Sequence, residues 1–224
     1  MTPPGTTLQT SPAQSGHAPP ARPSVDSRPA PSTAPPTLTR PDPGGAGSLR
    51  LTALARIDPK MAAAVALRSA STRLVQATVQ QCGVVVYNGY LFYRVRMRAV
   101  NGIGVAWVDA GTAQEKALAV YPPVPADQPW PESDYHVAKG LKGSLRVALL
   151  ARVTPAEADA AALAAVGGGA LLRTRLHGTG GFLVYTVTIR TAGRALKSVW
   201  VDAGTGEILG TASGFPRAQG PLPS

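Results

Sequence analysis

The residues of this sequence that could do chemistry are few. Asp202 and Glu207 stand close together in Asp-Ala-Gly-Thr-Gly-Glu, a spacing that suggests paired carboxylates or cation ligands. The same segment is also turn chemistry, because Asp and Thr side chains bond nearby backbone N–H groups and Gly supplies positive φ. We read Asp109, Gly111, Asp202, Gly204 and Gly206 as structural turn residues, with Gly111 and Gly204 expected at a φ that a β-carbon disfavours. His17, His136 and His177 have no partner at helical or motif spacing, so no triad or facial metal site is signalled. Cys82 is the single cysteine, which excludes an intramolecular disulfide and a cysteine-based zinc cluster. With Gln81 and Gly83 beside it, it reads as a structural thiol. There is no Gly-x-Ser-x-Gly elbow. Gly167-Gly168-Gly169 follows a helix candidate, whereas a phosphate cradle precedes one. No catalytic, cofactor-binding or metal-binding residue is expected.

Binding chemistry is better represented. Tyr93, Val95 and Met97 alternate with Arg94, Arg96 and Arg98, so in a strand the first three face one side and the three Arg the other. Ala106 and Val108 alternate with Trp107 and Asp109, and Val199 and Val201 with Trp200 and Asp202. If the aliphatics face a helix, Trp107, Trp200 and the Arg row share the open face of a sheet. Trp with Arg is the composition of a protein-binding hot spot. The competing placement packs the two Trp against each other between modules, or under the segment 121–145 with Trp130.

The elements that position these residues come in two copies. Leu54-Ala55-Arg56-Ile57-Asp58-Pro59 matches Leu150-Ala151-Arg152-Val153-Thr154-Pro155, and Leu91–Val95 matches Leu183–Val187. Trp107-Val108-Asp109-Ala110-Gly111-Thr112 matches Trp200-Val201-Asp202-Ala203-Gly204-Thr205. The offsets of 96, 92 and 93 keep the blocks collinear. In each copy a short polar residue and Pro start an Ala-rich helix, at 59–70 and 155–166. Thr154 and Glu157 have capping-box spacing, and Gly167 stops the second helix. Strands follow at about 74–87, 90–100 and 103–110, and at about 170–177, 181–190 and 195–203. Asn88-Gly89, Asn101-Gly102 and Gly178–Gly181 provide the hairpin turns. The expected fold is α+β: two tandem modules, each one helix on a three-stranded antiparallel meander.

Composition bounds the rest. Residues 1–48 hold 12 of the 22 Pro and only two Leu and one Val, too little apolar surface to offset ordering, so they read as a disordered tail. Module 1 then spans 49–120, a linker 121–145, module 2 146–210, and a second disordered tail 211–224. The net charge of +10 divides as +6 in module 1, +3 in module 2, −1 in the linker and +1 in each tail. Without a concentrated basic run, nucleic acid is disfavoured as a partner. No apolar run approaches the length of a membrane span, and residues 1–30 are too polar for an export signal. Oligomeric state is left open.

These blocks resemble the PepSY domain: a helix, then Tyr-x-Val-x-(Val/Ile), then Val-Trp-Val-Asp-Ala-Gly-Thr-Gly-Glu-Ile-Leu, nearly complete from Val199 to Leu209. The first copy keeps Trp107 to Thr112 but reads Ala113-Gln114-Glu115, without the second Gly. The resemblance implies a module found in propeptides of thermolysin-like metallopeptidases and in secreted or membrane-anchored bacterial proteins, with a proposed peptidase-inhibitory role and no catalytic residues. The expected function is therefore non-catalytic protein binding, in the form of peptidase inhibition or modulation, outside the cytoplasm. Two alternatives are a structural envelope module binding anionic polymer through the Arg face, and an uncharacterised enzyme. High salt separates polymer binding from a Trp-anchored protein contact.

Overall fold

A computed structural model of the chain describes residues 44–125, 128, 130 and 136–213. The tails expected at the two ends therefore fall largely outside the described residues. Residues 44–48, grouped with the first tail by composition, and 211–213, grouped with the second, are within them, and 211–213 are the end of a strand.

The element order is α1 (Leu51–Leu54), α2 (Pro59–Ala70), β1 (Thr78–Tyr87), β2 (Tyr90–Ala99), β3 (Gly102–Asp109) and β4 (Glu115–Tyr121). A 3-10 turn at Val147–Leu149 opens the second half, followed by α3 (Pro155–Val166), β5 (Ala170–Thr179), β6 (Phe182–Arg190), β7 (Leu196–Asp202) and β8 (Ile208–Ser213). Two antiparallel sheets result, ordered β1-β2-β3-β4 and β5-β6-β7-β8. The α+β class stands, with four strands per sheet where three were expected. The extra strand in each lies beyond the Asp-Ala-Gly-Thr turn and joins β3 or β7 with a register shift, which breaks the plain alternation a sequence pattern can show.

Both helices start as their signals dictate, and α3 stops where its glycine predicts. The Asp58 side chain accepts from Met61 N at 2.8 Å, and Thr154 and Glu157 form a complete capping box. Gly167 closes α3 at φ 76°. Small residues make the buried stripes of these helices, Ala62, Ala66 and Ala70 in α2 and Ala158 and Ala162 in α3. With only methyl groups on the buried stripe, the helices can lie close to the sheets.

Tyr93, Val95 and Met97 are buried in the helix-side core, as alternation predicts, with Ala106 and Val108 beside them. Tyr185, Val187, Val199 and Val201 do the same in the second module. All of these residues, and the buried alanines of both helices, belong to one hydrophobic cluster. The two modules thus share a single core.

They also exchange segments. Leu91 N donates to Leu145 O at 3.0 Å and Val147 N to Gly89 O at 3.0 Å, so the lead into the second module pairs with the first hairpin. Reciprocally, Leu183 N donates to Leu49 O at 2.9 Å and Leu51 N to Gly181 O at 2.8 Å, so the lead into the first module pairs with the second hairpin. Two isolated antiparallel bridges, Arg50 with Phe182 and Tyr90 with Arg146, mark the two crossings. Each module is completed by the chain that introduces the other.

The turns after β3 and β7 differ in one residue with an energetic consequence. Neither Gly111 nor Gly204 has positive φ; the left-handed position falls two residues later, at Gly206 (φ 78°) and at Ala113 (φ 60°). An L-residue with a β-carbon is strained there by about 1–2 kcal/mol. Ala113→Gly should therefore raise stability by about 0.5–1 kcal/mol after the extra unfolded-state entropy of Gly is subtracted, measurable as a higher denaturation midpoint with unchanged slope.

Candidate functional site

Alternation places the Arg row and Trp107 on one side of the first sheet, opposite the helix, with Arg94 paired to Trp107 across β2 and β3. That side is not open. Trp107 has no exposed surface and Arg94 is 8% exposed, while Arg96 and Arg98 are half-buried. The segment between the modules lies over this face. Ala138 is fully buried against Phe92 and Trp107, with Leu141, Tyr87 and Tyr90 around them. The Tyr87 ring lies 5.2 Å from Trp107 and the Phe92 ring 6.2 Å, the latter edge-on. Trp130 lies 5.5 Å from the Arg96 guanidinium and 5.9 Å from that of Arg98, which also donates to Val124 O at 2.7 Å.

The expectation of an exposed Trp–Arg face is thus corrected: it is an inner layer. The physical reason is legible in β3, where Ile103, Val105 and Trp107 all fall on the Arg side and are fully buried. An apolar row of that size demands a cover. Trp200 belongs to a different cluster, with Val184, Ala212, Phe182 and Leu209, so the two Trp do not pack against each other.

The turn residues do more than close a hairpin. Asp109 is fully buried at the end of β3. Its Oδ1 accepts from Gly111 N (2.8 Å) and Thr112 N (3.1 Å), and Ser144 of the incoming lead donates its N to Oδ2 (2.6 Å) and its hydroxyl to Oδ1. Ala110 O, next in the chain, accepts from Arg56 N and Ile57 N of the module's own approach to α2. One turn therefore holds both leads. In the second module Asp202 Oδ1 accepts from Gly204 N (2.7 Å) and Thr205 N (3.0 Å), and Ala203 O accepts from Arg152 N and Val153 N. There the latch differs: Asp202 Oδ2 and Ser48 Oγ are both buried without a hydrogen-bond partner.

Gly111 and Gly204 are required by proximity rather than by φ. A β-carbon on Gly111 would collide with Ser144 Oγ, and one on Gly204 with Gly47 O. Each leaves room for the lead of the other module.

The residues that fill these two sites are Gly47-Ser48-Leu49-Arg50 and Gly143-Ser144-Leu145-Arg146, identical in sequence. The bounds read from composition cut through both, leaving 47–48 in the tail and 143–145 in the linker. The signal that finds them is the 96-residue offset of the helix approach, which continues without a gap back to Gly47 and Gly143. In both sites the Leu is buried and the Arg lies over an aromatic ring: Leu49 and Leu145 are 6% and 4% exposed, with Arg50 5.3 Å from Phe182 and Arg146 6.0 Å from Tyr90.

The remaining reactive groups are solitary. Cys82 Sγ is 3.5 Å from Pro59 O, and burial pushes its thiol pKa up. Burial also lowers the pKa of His177, whose Nε2 is 2.6 Å from Thr186 Oγ1. Among the described residues no group of three His, Cys, Asp or Glu could hold a metal ion, and no helix is long and apolar enough to cross a membrane.

Residues 152–212 match the family model described as peptidase propeptide and YPEB domain, PepSY. No curated protein matches the chain. Among solved structures, the chain is 15% identical to a protein of Clostridium difficile 630 described as a putative lipoprotein, over 78% of this chain and 99% of that one, with a TM-score of 0.28. It is 17% identical to the YpmB protein from Bacillus subtilis, over 67% of this chain and 96% of that one, also with a TM-score of 0.28.

Two outcomes follow from the geometry. Trp107→Ala should cost about 3–5 kcal/mol, the range for removing a buried aromatic, seen as a large drop in melting temperature. Burial alone would raise the Asp109 pKa, but the Ser144, Gly111 and Thr112 hydrogen bonds outweigh it and hold the carboxyl below its ordinary 3.8. Its contribution is present above that value and is lost as pH falls through the lower folded-state pKa. Ser144→Ala should accordingly weaken the acid resistance, moving the acid-unfolding midpoint to higher pH.

Proposed function

Proceeding from the PepSY domain at residues 152–212, we propose that this chain is a non-catalytic protein-binding protein that inhibits or modulates a peptidase outside the cytoplasm. The first module, with the same element order and the same turn, is on this reading a second copy of that domain. One observation carries the proposal: each module holds an extended piece of polypeptide at its hairpin by main-chain hydrogen bonds and a buried Leu, to which the first module adds a carboxylate. The modules are built to grip peptide. The extracytoplasmic placement rests on the family resemblance.

The covered sheet face shapes where a partner can touch. Trp107 and Trp200 act on binding through the fold, whereas Arg96 and Arg98, half-buried against Trp130, are the part of the predicted set left at a rim. Rim charges set association rate and salt dependence more than lifetime. A stacked and half-buried row gives anionic polymer little to hold, so the protein partner is preferred.

The test is inhibition of a thermolysin-like metallopeptidase by the full chain. Inhibition saturating at a fixed stoichiometry and surviving about 0.5 M salt, where the Debye length falls to a few ångströms, is the expected result. A chain that leaves such peptidases untouched, or is merely digested by them, would overturn the inhibitory reading. Binding to anionic polymer that vanishes in salt would support the envelope alternative instead.

A further inference from the structure

We infer that the hairpin end of the second module is an exchangeable binding site for an extended segment of sequence Gly-Ser-Leu-Arg, filled at rest by the chain's own residues 47–50. This deepens the binding reading above by naming what the site takes. The chemistry of recognition is visible twice, because two separate segments of identical sequence occupy equivalent sites. Each position has a physical reason. Gly47 has φ 94° and a β-carbon there would come within 2.9 Å of the Thr205 methyl, while one at Gly143 would come 3.1 Å from Tyr90 and 3.2 Å from Phe92, so both positions favour glycine. In the first site the Ser N and hydroxyl meet the turn carboxylate, Ser144 on Asp109, whereas in the second Ser48 N donates to Gly45 O. Leu is buried in the shared core, and Arg lies over the aromatic residue that opens the second strand. Main-chain bonds on either side of the Arg fix the segment as extended.

The two sites are not equally closed. In the first, both Ser144 groups bind both oxygens of Asp109. In the second, Ser48 Oγ and Asp202 Oδ2 are each buried and unsatisfied, which removes the side-chain latch and leaves two desolvated polar atoms. The lead at 47–50 is therefore the one that peels away. What leaves a vacancy for Gly-Ser-Leu-Arg accepts the same sequence from another polypeptide, and the tethered copy competes at an effective concentration on the order of mM.

The test uses the full chain carrying Leu49→Asp, which evicts its own lead, and a fluorescent synthetic peptide of residues 44–51, Gly-Gly-Ala-Gly-Ser-Leu-Arg-Leu. The variant should bind this peptide by fluorescence anisotropy, at least about tenfold tighter than the wild-type chain and about tenfold tighter than it binds the peptide with Leu49 replaced by Ala. A scrambled peptide should not bind. Phe182→Ala, added to Leu49→Asp, should weaken the peptide a few-fold through loss of the Arg contact. A folded Leu49→Asp chain that ignores the peptide, or takes the scrambled one equally, overturns the proposal. Should Leu49→Asp not fold, the milder Leu49→Ala chain decides: the peptide must raise its melting temperature in a dose-dependent way, and no rise overturns the proposal. No peptidase enters this assay, so its failure leaves the inhibition reading standing, and failure of that reading leaves the peptide site standing.

Discussion

Everything in this molecule hangs on a buried carboxylate at the end of the third strand of each sheet. A carboxylate out of water is costly unless its oxygens are bonded. Asp109 meets that requirement from two directions, its own turn and the Ser144 that arrives from the other half of the chain. In the first module that contact, with the main-chain bonds to the hairpin, fixes where the lead passes; in the second the main-chain bonds alone hold it.

The described residues of the connecting segment are tied down at several points. The segment leaves β4, lays Ala138 against Trp107 and Phe92, and delivers Gly143-Ser144-Leu145 to the Asp109 turn. It both roofs a sheet and closes the exchange. With leads crossing in both directions and a single core, the two halves are expected to unfold together rather than one at a time.

Much of the fold was legible because its signals are local. Pro after a polar residue, Ala spacing, glycine stops and alternation mark both helices and six strands to within a few residues. The strands β4 and β8 were not, since a register shift separates them from the patterned strands they pair with. The site was read with the correct side and the wrong exposure. Alternation tells which face Arg94 and Trp107 share, but whether that face is wet depends on what a distant segment does. Ile103 and Val105 carried the warning, as apolar residues on the supposedly open side. Gly111 and Gly204 needed to be glycine for a reason invisible locally, the approach of Ser144 and Gly47 from far along the chain. Long-range contact is what a single sequence hides.

Where β1 and β5 meet, Gly178 occupies the position that Val86 holds in the first module, and a β-carbon on it would come 3.2 Å from Val86 Cγ2 and 2.8 Å from Leu51 Cδ1. A symmetric pair of identical subunits must present the same side chain twice across its two-fold axis, so two valines would crowd and two glycines would leave a hole. Joining both halves in one polypeptide lifts that obligation. Each half can then diverge, one supplying bulk and the other yielding space, and a duplicated chain can reach packing closed to its homodimeric counterpart.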